Sequence, residues 1–237
     1  RTLCRKTIDW ADKHEGGNVT VNRMRQNSKV YLAPQSPSNF RPTAAKYIYN
    51  TYGKQGVVYD PCAGWGGRLF GFLASNCERY IGTDPSKKSY NGLNEIARTF
   101  NKGILFDEFK DIEIYNQCAE DWIPMRKVDL VFTSPPYFDC EKYSDEPTQS
   151  YLRHPTREKW TEGFLREMIK GCKIIMKDDA KMILNIANTT KHKWIEEETI
   201  RVASEEGFEL EDTLHLVLSS IAGKGVKTEP VFIFGQK

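Results

Sequence analysis

No apolar run in the 237-residue chain approaches the roughly 20 residues that a helix needs to cross a bilayer. No charged segment followed by an apolar stretch and a small-residue cleavage site opens it either. The expectation is an intracellular protein of cytoplasm, nucleoid or nucleus, without a membrane partner. Clustered thiols are also missing. Cys4, Cys62, Cys77, Cys118, Cys140 and Cys172 stand far apart, without the close pairs or histidine partners of a zinc site. They read as reduced, mostly small core residues, and no metal is expected. The four histidines are as dispersed. His192 reads as an exposed residue at a helix start, and His154 as a loop residue. Internal repeats, low-complexity tracts and interdomain linkers are absent.

Net charge is small, +2 over the chain, but unevenly placed: residues 1–54 carry +7 and the remainder −5. A basic arm beside a near-neutral body suits a phosphate-backbone partner, and equally fits a solvated surface. With 39% hydrophobic and 28% charged residues, the length accommodates one large α/β domain with a proper core.

Residues 3–15 can form an amphipathic helix ended by Gly16-Gly17, and residues 18–27 a short strand or ordered arm. Pro42 suits the first turn of a helix reaching Gly53. A regular alternation follows. Strands are expected at 56–60, 79–83, 112–115, 128–132 and 181–187, with helices at 68–75, from Ser86 to about 100, from Thr156 to 172, and at 191–206. Residues 208–218 and 230–234 read as an antiparallel pair joined by a basic loop, 219–229. Units of this length predict a parallel sheet with right-handed crossovers. The polar stretch 138–155 is too long for a plain connector, which suggests a lid or substrate contact.

Three features carry chemistry. Gly64, Gly66 and Gly67, after the first strand, allow the backbone to approach a ligand at a helix N-terminus. That fits a dinucleotide, an adenosine-containing methyl donor or a tight turn. Asp84 ends the second strand, where a carboxylate can accept hydrogen bonds from both ribose hydroxyls. After the apolar fourth strand comes Thr133-Ser134-Pro135-Pro136-Tyr137. The prolines stiffen the chain, so Ser134 and the Pro135 carbonyl project as fixed acceptors beside the Tyr137 ring. Such a corner can grip a planar group bearing an amine. All three lie at the carboxyl edge of one sheet, where open α/β sheets bind ligands.

These motifs resemble those of the amino methyltransferases of DNA. Asp60-Pro61-Cys62-Ala63-Gly64-Trp65-Gly66-Gly67 is similar to their S-adenosylmethionine motif, and Ser134-Pro135-Pro136-Tyr137 to their catalytic motif in the form often seen in N4-cytosine enzymes. Asn39-Phe40-Arg41-Pro42 resembles the segment closing over the methionine end of the cofactor, and Gln117 to Asp121 falls where the family contacts the adenine ring. The resemblance spans roughly residues 38–237. It implies a Rossmann-like class I fold with a seven-stranded, mostly parallel sheet and an antiparallel last strand. Residues 1–37 would be a basic arm or helix packed on a catalytic domain, 38–237. The implied cofactor is S-adenosylmethionine, without metal, held by Phe40, Arg41, Pro42, Asp60, Pro61, Cys62, Ala63, Gly64, Trp65, Gly66, Asp84, Cys118, Ala119, Glu120 and Ser134. The implied catalytic residues are Ser134, Pro135, Pro136 and Tyr137.

The implied reaction is direct methyl transfer to an exocyclic amine in DNA, cytosine N4 preferred over adenine N6. Ser134 and Pro135 would accept the amine's hydrogens, and Tyr137 would stack on a base flipped from double- or single-stranded DNA. The alternatives are the same chemistry on RNA, a free nucleotide or a protein glutamine, and a catalytically silent cofactor- or DNA-binding subunit. A cysteine attack as in C5-cytosine methylation is rejected, because Pro61-Cys62 sits on the cofactor side. Asp139 reads as a solvated loop acid or a proton relay. No target-recognition domain is evident. DNA contacts would fall to Arg23, Arg25, Lys29, Tyr143, Lys224 and Lys227, and specificity could need a homodimer or a separate specificity subunit.

Overall fold

The central strands owe their burial to continuous runs of Val, Ile, Leu and aromatic residues, as expected where a parallel sheet is covered on both faces. The computed structural model describes residues 39–101, 109–140, 142–220 and 226–237, with Asp9 and Lys13. The chain separates into two compact units, Arg1–Ser38 and Asn39–Lys237. In the first, only Asp9 and Lys13 are described, and both are helical. Arg23, Arg25 and Lys29, and Lys224 of the second unit, lie outside the described residues.

The second unit runs α1 (Pro42–Tyr52), β1 (Val57–Asp60), α2 (Gly67–Leu73), β2 (Arg79–Thr83), α3 (Lys87–Phe100), β3 (Asp111–Tyr115) and β4 (Val128–Thr133). It continues through α4 (Ser150–Arg153), α5 (Arg157–Trp160), a wider-wound stretch Thr161–Arg166, α6 (Glu167–Ile175), β5 (Met176–Asn185), α7 (Ile195–Glu205), β6 (Phe208–Ser220) and β7 (Val226–Gln236). One seven-stranded sheet results, in the order β3-β2-β1-β4-β5-β7-β6. Strands β1 to β5 pair in parallel, and β7 runs antiparallel to both β5 and β6. The expected α/β sheet with an antiparallel last strand is therefore present.

Alternate residues of each strand feed two cores. Tyr59, Ile81, Val131 and Leu184 pack with Met168, Ile169 and Val202 of α6 and α7. Val58, Tyr80, Leu130 and Ile183 pack with Ile48 and Tyr49 of α1 and Leu69 and Phe72 of α2. Asp129 is a carboxylate inside β4, and it is satisfied: it accepts from the Val57 amide at 2.9 Å and from Lys177 at 2.7 Å.

Several boundaries differ from the sequence reading. β5 begins at Met176 and ends at Asn185, since its first turn of strand, Lys177-Asp178-Asp179, is polar and solvent-facing. The expected loop 219–229 is largely strand: β6 continues to Ser220 and β7 starts at Val226. The exposed polar residues Lys227 and Thr228 hide its alternation. Helix α7 starts at Ile195, so His192 lies outside it, half-buried rather than exposed. Ser86 occupies the N-cap of α3 without bonding a helix amide through its side chain. The Ser86 amide donates to Asp84 and the Lys87 amide to Glu146 instead. Among the described residues no helix is long and apolar enough to cross a membrane.

Candidate active site

The strand order aligns the carboxyl-edge residues laterally. From one side to the other come the segment after β3, Asp84 after β2, the glycine turn after β1, Ser134–Tyr137 after β4, Asn185 at the end of β5 and Glu229 on β7. The order reverses between β1 and β4, which is where such sheets open a ligand crevice.

The glycine turn is tied at every level. Its floor is Asp60, 1% exposed. The Asp60 carboxylate accepts from Arg68 Nε at 2.8 Å and Nη2 at 3.2 Å, from Tyr80 Oη at 2.8 Å and from Thr133 Oγ1 at 2.7 Å. Those bonds fill its acceptor sites, so Asp60 shapes the turn from below. Arg68 also donates to the Cys62 carbonyl, and its guanidinium carbon lies 5.9 Å and 6.0 Å from the Phe40 and Phe132 rings. Burial lowers the Arg68 pKa, but the Asp60 carboxylate outweighs it and holds the side chain firmly cationic. The Ala63 amide donates to the Thr83 carbonyl at 2.8 Å, and Thr83 Oγ1 to the Pro61 carbonyl at 2.7 Å.

Gly66 caps α2 with φ 85°, a conformation costly for other residues. A β-carbon on Gly67 would stand 2.1 Å from the Phe40 carbonyl oxygen and 2.5 Å from Asn39 Oδ1, which accepts the Gly67 amide. Gly67→Ala should therefore destabilise the fold by about 1–3 kcal/mol and loosen this turn, measured by urea unfolding; an unchanged midpoint would mean that residues 39–40 yield freely.

Asp84 stands half-exposed above the turn. Its Oδ2 accepts from the Gly64 amide at 3.0 Å and its Oδ1 from the Ser86 amide at 2.9 Å. Burial pushes its carboxyl up to about 6, against the pull of those two amides. Asn116 donates to the carbonyls of Asp84 and Pro85, both at 2.9 Å, binding the β3 segment to this corner. Beyond it, Cys118 and Ala119 are buried, and Glu120 and Asp121 pair with Arg153. Burial raises the Glu120 carboxyl.

The segment before α1 also lies on the turn. Phe40 is buried edge-on to Phe132 at 5.3 Å, and Pro42 opens α1. Arg41 is directed away, its guanidinium donating to the Leu218 carbonyl of β6. The stretch after Tyr137 returns to the same place. Glu146 accepts the Lys87 amide at 3.1 Å, and Tyr143 meets Trp65 edge-to-face at 5.8 Å. The long loop is thus docked on the corner formed by the glycine turn and the start of α3.

Thr133 joins the two halves of the crevice. Its Oγ1 accepts from the Cys62 amide at 3.1 Å while donating to Asp60, and Ser134 follows immediately. Pro135 is buried, while Ser134, Pro136 and Tyr137 are half-buried. The Phe138 amide bonds the Pro136 carbonyl at 3.0 Å, so Tyr137 sits at the apex of a three-residue turn. Phe138 itself has φ 55°, unusual for an aromatic residue. It is held by Trp160, His192 and Trp194, at ring distances of 5.9, 5.2 and 5.7 Å. Asp139 is paired with Lys191 and, at 2.5 Å, with His192. These partners draw it below the usual carboxylate range although burial opposes them, so it is a clamp rather than a solvated loop acid.

The fold brings together ligand types that are scattered in sequence. Asp139, Cys140 and His192 lie within 4.8 Å of one another, as do Cys118, Glu120 and Asp121. In each group the carboxylates are already paired with protein cations. The five described cysteines are free thiols, and burial pushes the Cys62 thiol well up, away from the nucleophilic thiolate. Lys227 is exposed on β7.

Sequence reasoning missed Arg68, Asn116, Glu146 and Glu229. Arg68 had a signal: a cation in the first turn of a helix opposes the helix dipole, so another partner must hold it. The others have none, since their partners come from distant segments.

This sheet order is a Rossmann-like α/β fold, and solved structures that share it are S-adenosylmethionine-dependent methyltransferases. Similar solved structures include an S-adenosylmethionine-dependent methyltransferase from Clostridium acetobutylicum, with TM-score 0.57 and 11% identity over 90% of this chain and 96% of that one. The glycopeptide N-methyltransferase MtfA complexed with S-adenosylmethionine gives TM-score 0.57 and 11% identity over 86% and 99%. Magnesium protoporphyrin IX methyltransferase from Synechocystis, also with bound S-adenosylmethionine, gives 0.54 and 13% over 100% and 96%. No protein-family model matches the sequence, and no curated protein matches it.

Proposed function

We propose that the chain transfers a methyl group from S-adenosylmethionine to an exocyclic amine of a nucleobase in DNA, cytosine N4 in preference to adenine N6. One observation carries this reading: Ser134–Tyr137 follows β4 and is bonded through Thr133 to the glycine turn after β1. An acceptor clamp and a nucleoside cradle therefore share one rigid unit. The fold alone does not select the acceptor, since its relatives include porphyrin and glycopeptide methyltransferases.

The residues fit the cofactor. The space above Gly64 is open, with the Cys62 carbonyl at 3.9 Å from where a β-carbon would stand. Asp84 retains lone pairs for ribose hydroxyls, and Cys118 and Ala119 offer a buried flank to the adenine. When bound, S-adenosylmethionine supplies an electrophilic methyl group. The protein's part is to orient the acceptor. Ser134 Oγ and the Pro135 carbonyl accept the amine's hydrogens, turning its nitrogen lone pair outward as positive charge develops. Tyr137 stacks on the base, and the Phe138 corner holds that ring steady. Residues 1–37 and Lys227 supply contacts to DNA phosphates.

Incubation with labelled S-adenosylmethionine and mixed DNA and RNA, followed by nucleoside mass spectrometry, identifies polymer and atom together. Label in DNA N4-methylcytosine supports the reading. Label in RNA or protein, or none, removes it. Tyr137→Ala should lower kcat/KM about tenfold to hundredfold, the worth of one base–aromatic stack, while cofactor affinity by calorimetry stays within about twofold. Retained activity would take Tyr137 out of the acceptor site.

A further inference from the structure

Strand registers carry the acceptor clamp toward the far edge of the sheet. Thr133 of β4 lies opposite Leu184 of β5, Leu184 opposite Phe232 of β7, and Asn185 opposite Val231. Ser134 is therefore level with Asn185 and Val231. Beyond Val231 the partnership with β5 ends, and β7 continues toward Val226 paired with β6 alone. This two-stranded ribbon stands beside the Tyr137 corner. Its inward carboxyl is Glu229, whose Oε2 lies 3.4 Å from Tyr137 Oη. The distance is longer than usual for a hydroxyl–carboxylate pair, and Asn185 at the end of β5 is, with Lys227 and Tyr137, one of the groups that draw the carboxyl's pKa down against burial. Asn185 is itself 3% exposed and bonded to the Pro230 carbonyl at 3.1 Å.

We propose that Glu229 is a positioning residue for Tyr137, fixing from β7 the orientation of the ring that receives the acceptor base. The proposal rests on the acceptor role given above to Tyr137. Stacking requires a ring whose plane does not wander; the turn restrains the Tyr137 backbone, and the ring packs against the first core. The hydroxyl at the far end of the ring is the point at which a second restraint has most leverage. Glu229 is half-buried and pairs with Leu216 of β6, which packs on the second core, and burial raises its carboxyl while Lys227, Tyr137 and Asn185 pull it back. It is retained against that cost where it meets the aromatic ring of the corner.

Two measurements test this. In the methylation assay, Tyr137→Phe and Glu229→Leu should each reduce kcat/KM about fivefold, as expected for one hydrogen bond of ~1 kcal/mol, with cofactor affinity unchanged. Their combination should be no worse than either alone, and Glu229→Gln, which keeps an acceptor oxygen, should stay within about twofold of wild type. Multiplicative losses, or an unaffected Glu229→Leu protein, would overturn the proposal. Glu229→Asp withdraws the carboxyl by one methylene and replaces the leucine variant if that one fails to fold. The second readout needs no turnover. With Tyr137→3-fluorotyrosine, the fluorine resonance should move in Glu229→Asp and not in Glu209→Gln, on the far half of β6. An unmoved resonance sinks the positioning role whatever the enzyme does. A moved resonance in a wild-type protein that methylates no nucleobase leaves positioning standing and sinks the proposed function.

Discussion

Arg68→Met is expected to cost about 3–5 kcal/mol of folding stability, because it strands a charge inside the protein. Asp60 and Arg68 are 1% and 5% exposed, so water cannot replace the lost partner. Tyr80 and Thr133 would still donate to the carboxylate, but two neutral hydroxyls cannot balance a full charge that has lost a bidentate guanidinium. The loss would spread. Arg68 also binds the Cys62 carbonyl and packs on Phe40 and Phe132, so the cofactor turn and the segment before α1 should loosen together. Urea denaturation measures the stability, and calorimetry should show weaker S-adenosylmethionine binding even at temperatures where the variant stays folded. The sign of the explanation is tested by Asp60→Asn/Arg68→Met. If the stranded charge is what destabilises, the double variant should be more stable than Arg68→Met alone. If lost packing around the arginine stem dominates, it will be no better.

The sheet was legible because it depends on local patterns: short apolar runs, with glycines after β1, an acid after β2 and prolines after β4 marking where its strands end. The cross-links between motifs were not. Thr133 reads as the first residue of the corner after the fourth strand, yet it joins Asp60 to the Cys62 amide. Glu146 reads as one charge in a polar loop, yet it takes the Lys87 amide at the start of α3. Such residues act through partners tens of residues away, and sequence spacing holds no trace of them. The β6–β7 ribbon was misread for a related reason. Its β7 half, Val226-Lys227-Thr228-Glu229, is mostly exposed and polar, so 226–229 resembles a loop. Glu229, which meets Tyr137 from this strand, went unnoticed with it.

Asp84→Ala should weaken S-adenosylmethionine binding about 100-fold or more, and the pH dependence of the wild-type protein should reveal why. Hydrogen bonds to a charged acceptor are worth about 1.5–3 kcal/mol each, and this carboxylate has two tasks at once. It takes the amides of Gly64 and Ser86, which hold the turn and the start of α3, and it faces the place where ribose hydroxyls would donate. Truncation removes both the ligand's acceptor and the strut beneath it. With the carboxyl pushed up to about 6, folding disfavours the anion. The contribution of Asp84 to stability is therefore complete below the ordinary carboxylate range and is lost as pH rises through about 6. Cofactor binding needs the anion and runs the other way, flat above about pH 7 and weakening below about pH 6. The Asp84 contributions to unliganded stability and to cofactor affinity should thus have opposite slopes across the same window, and both contributions should be missing from the pH profiles of Asp84→Ala. An affinity that stays constant from about pH 5 to pH 8 in the wild-type protein would place the ribose elsewhere.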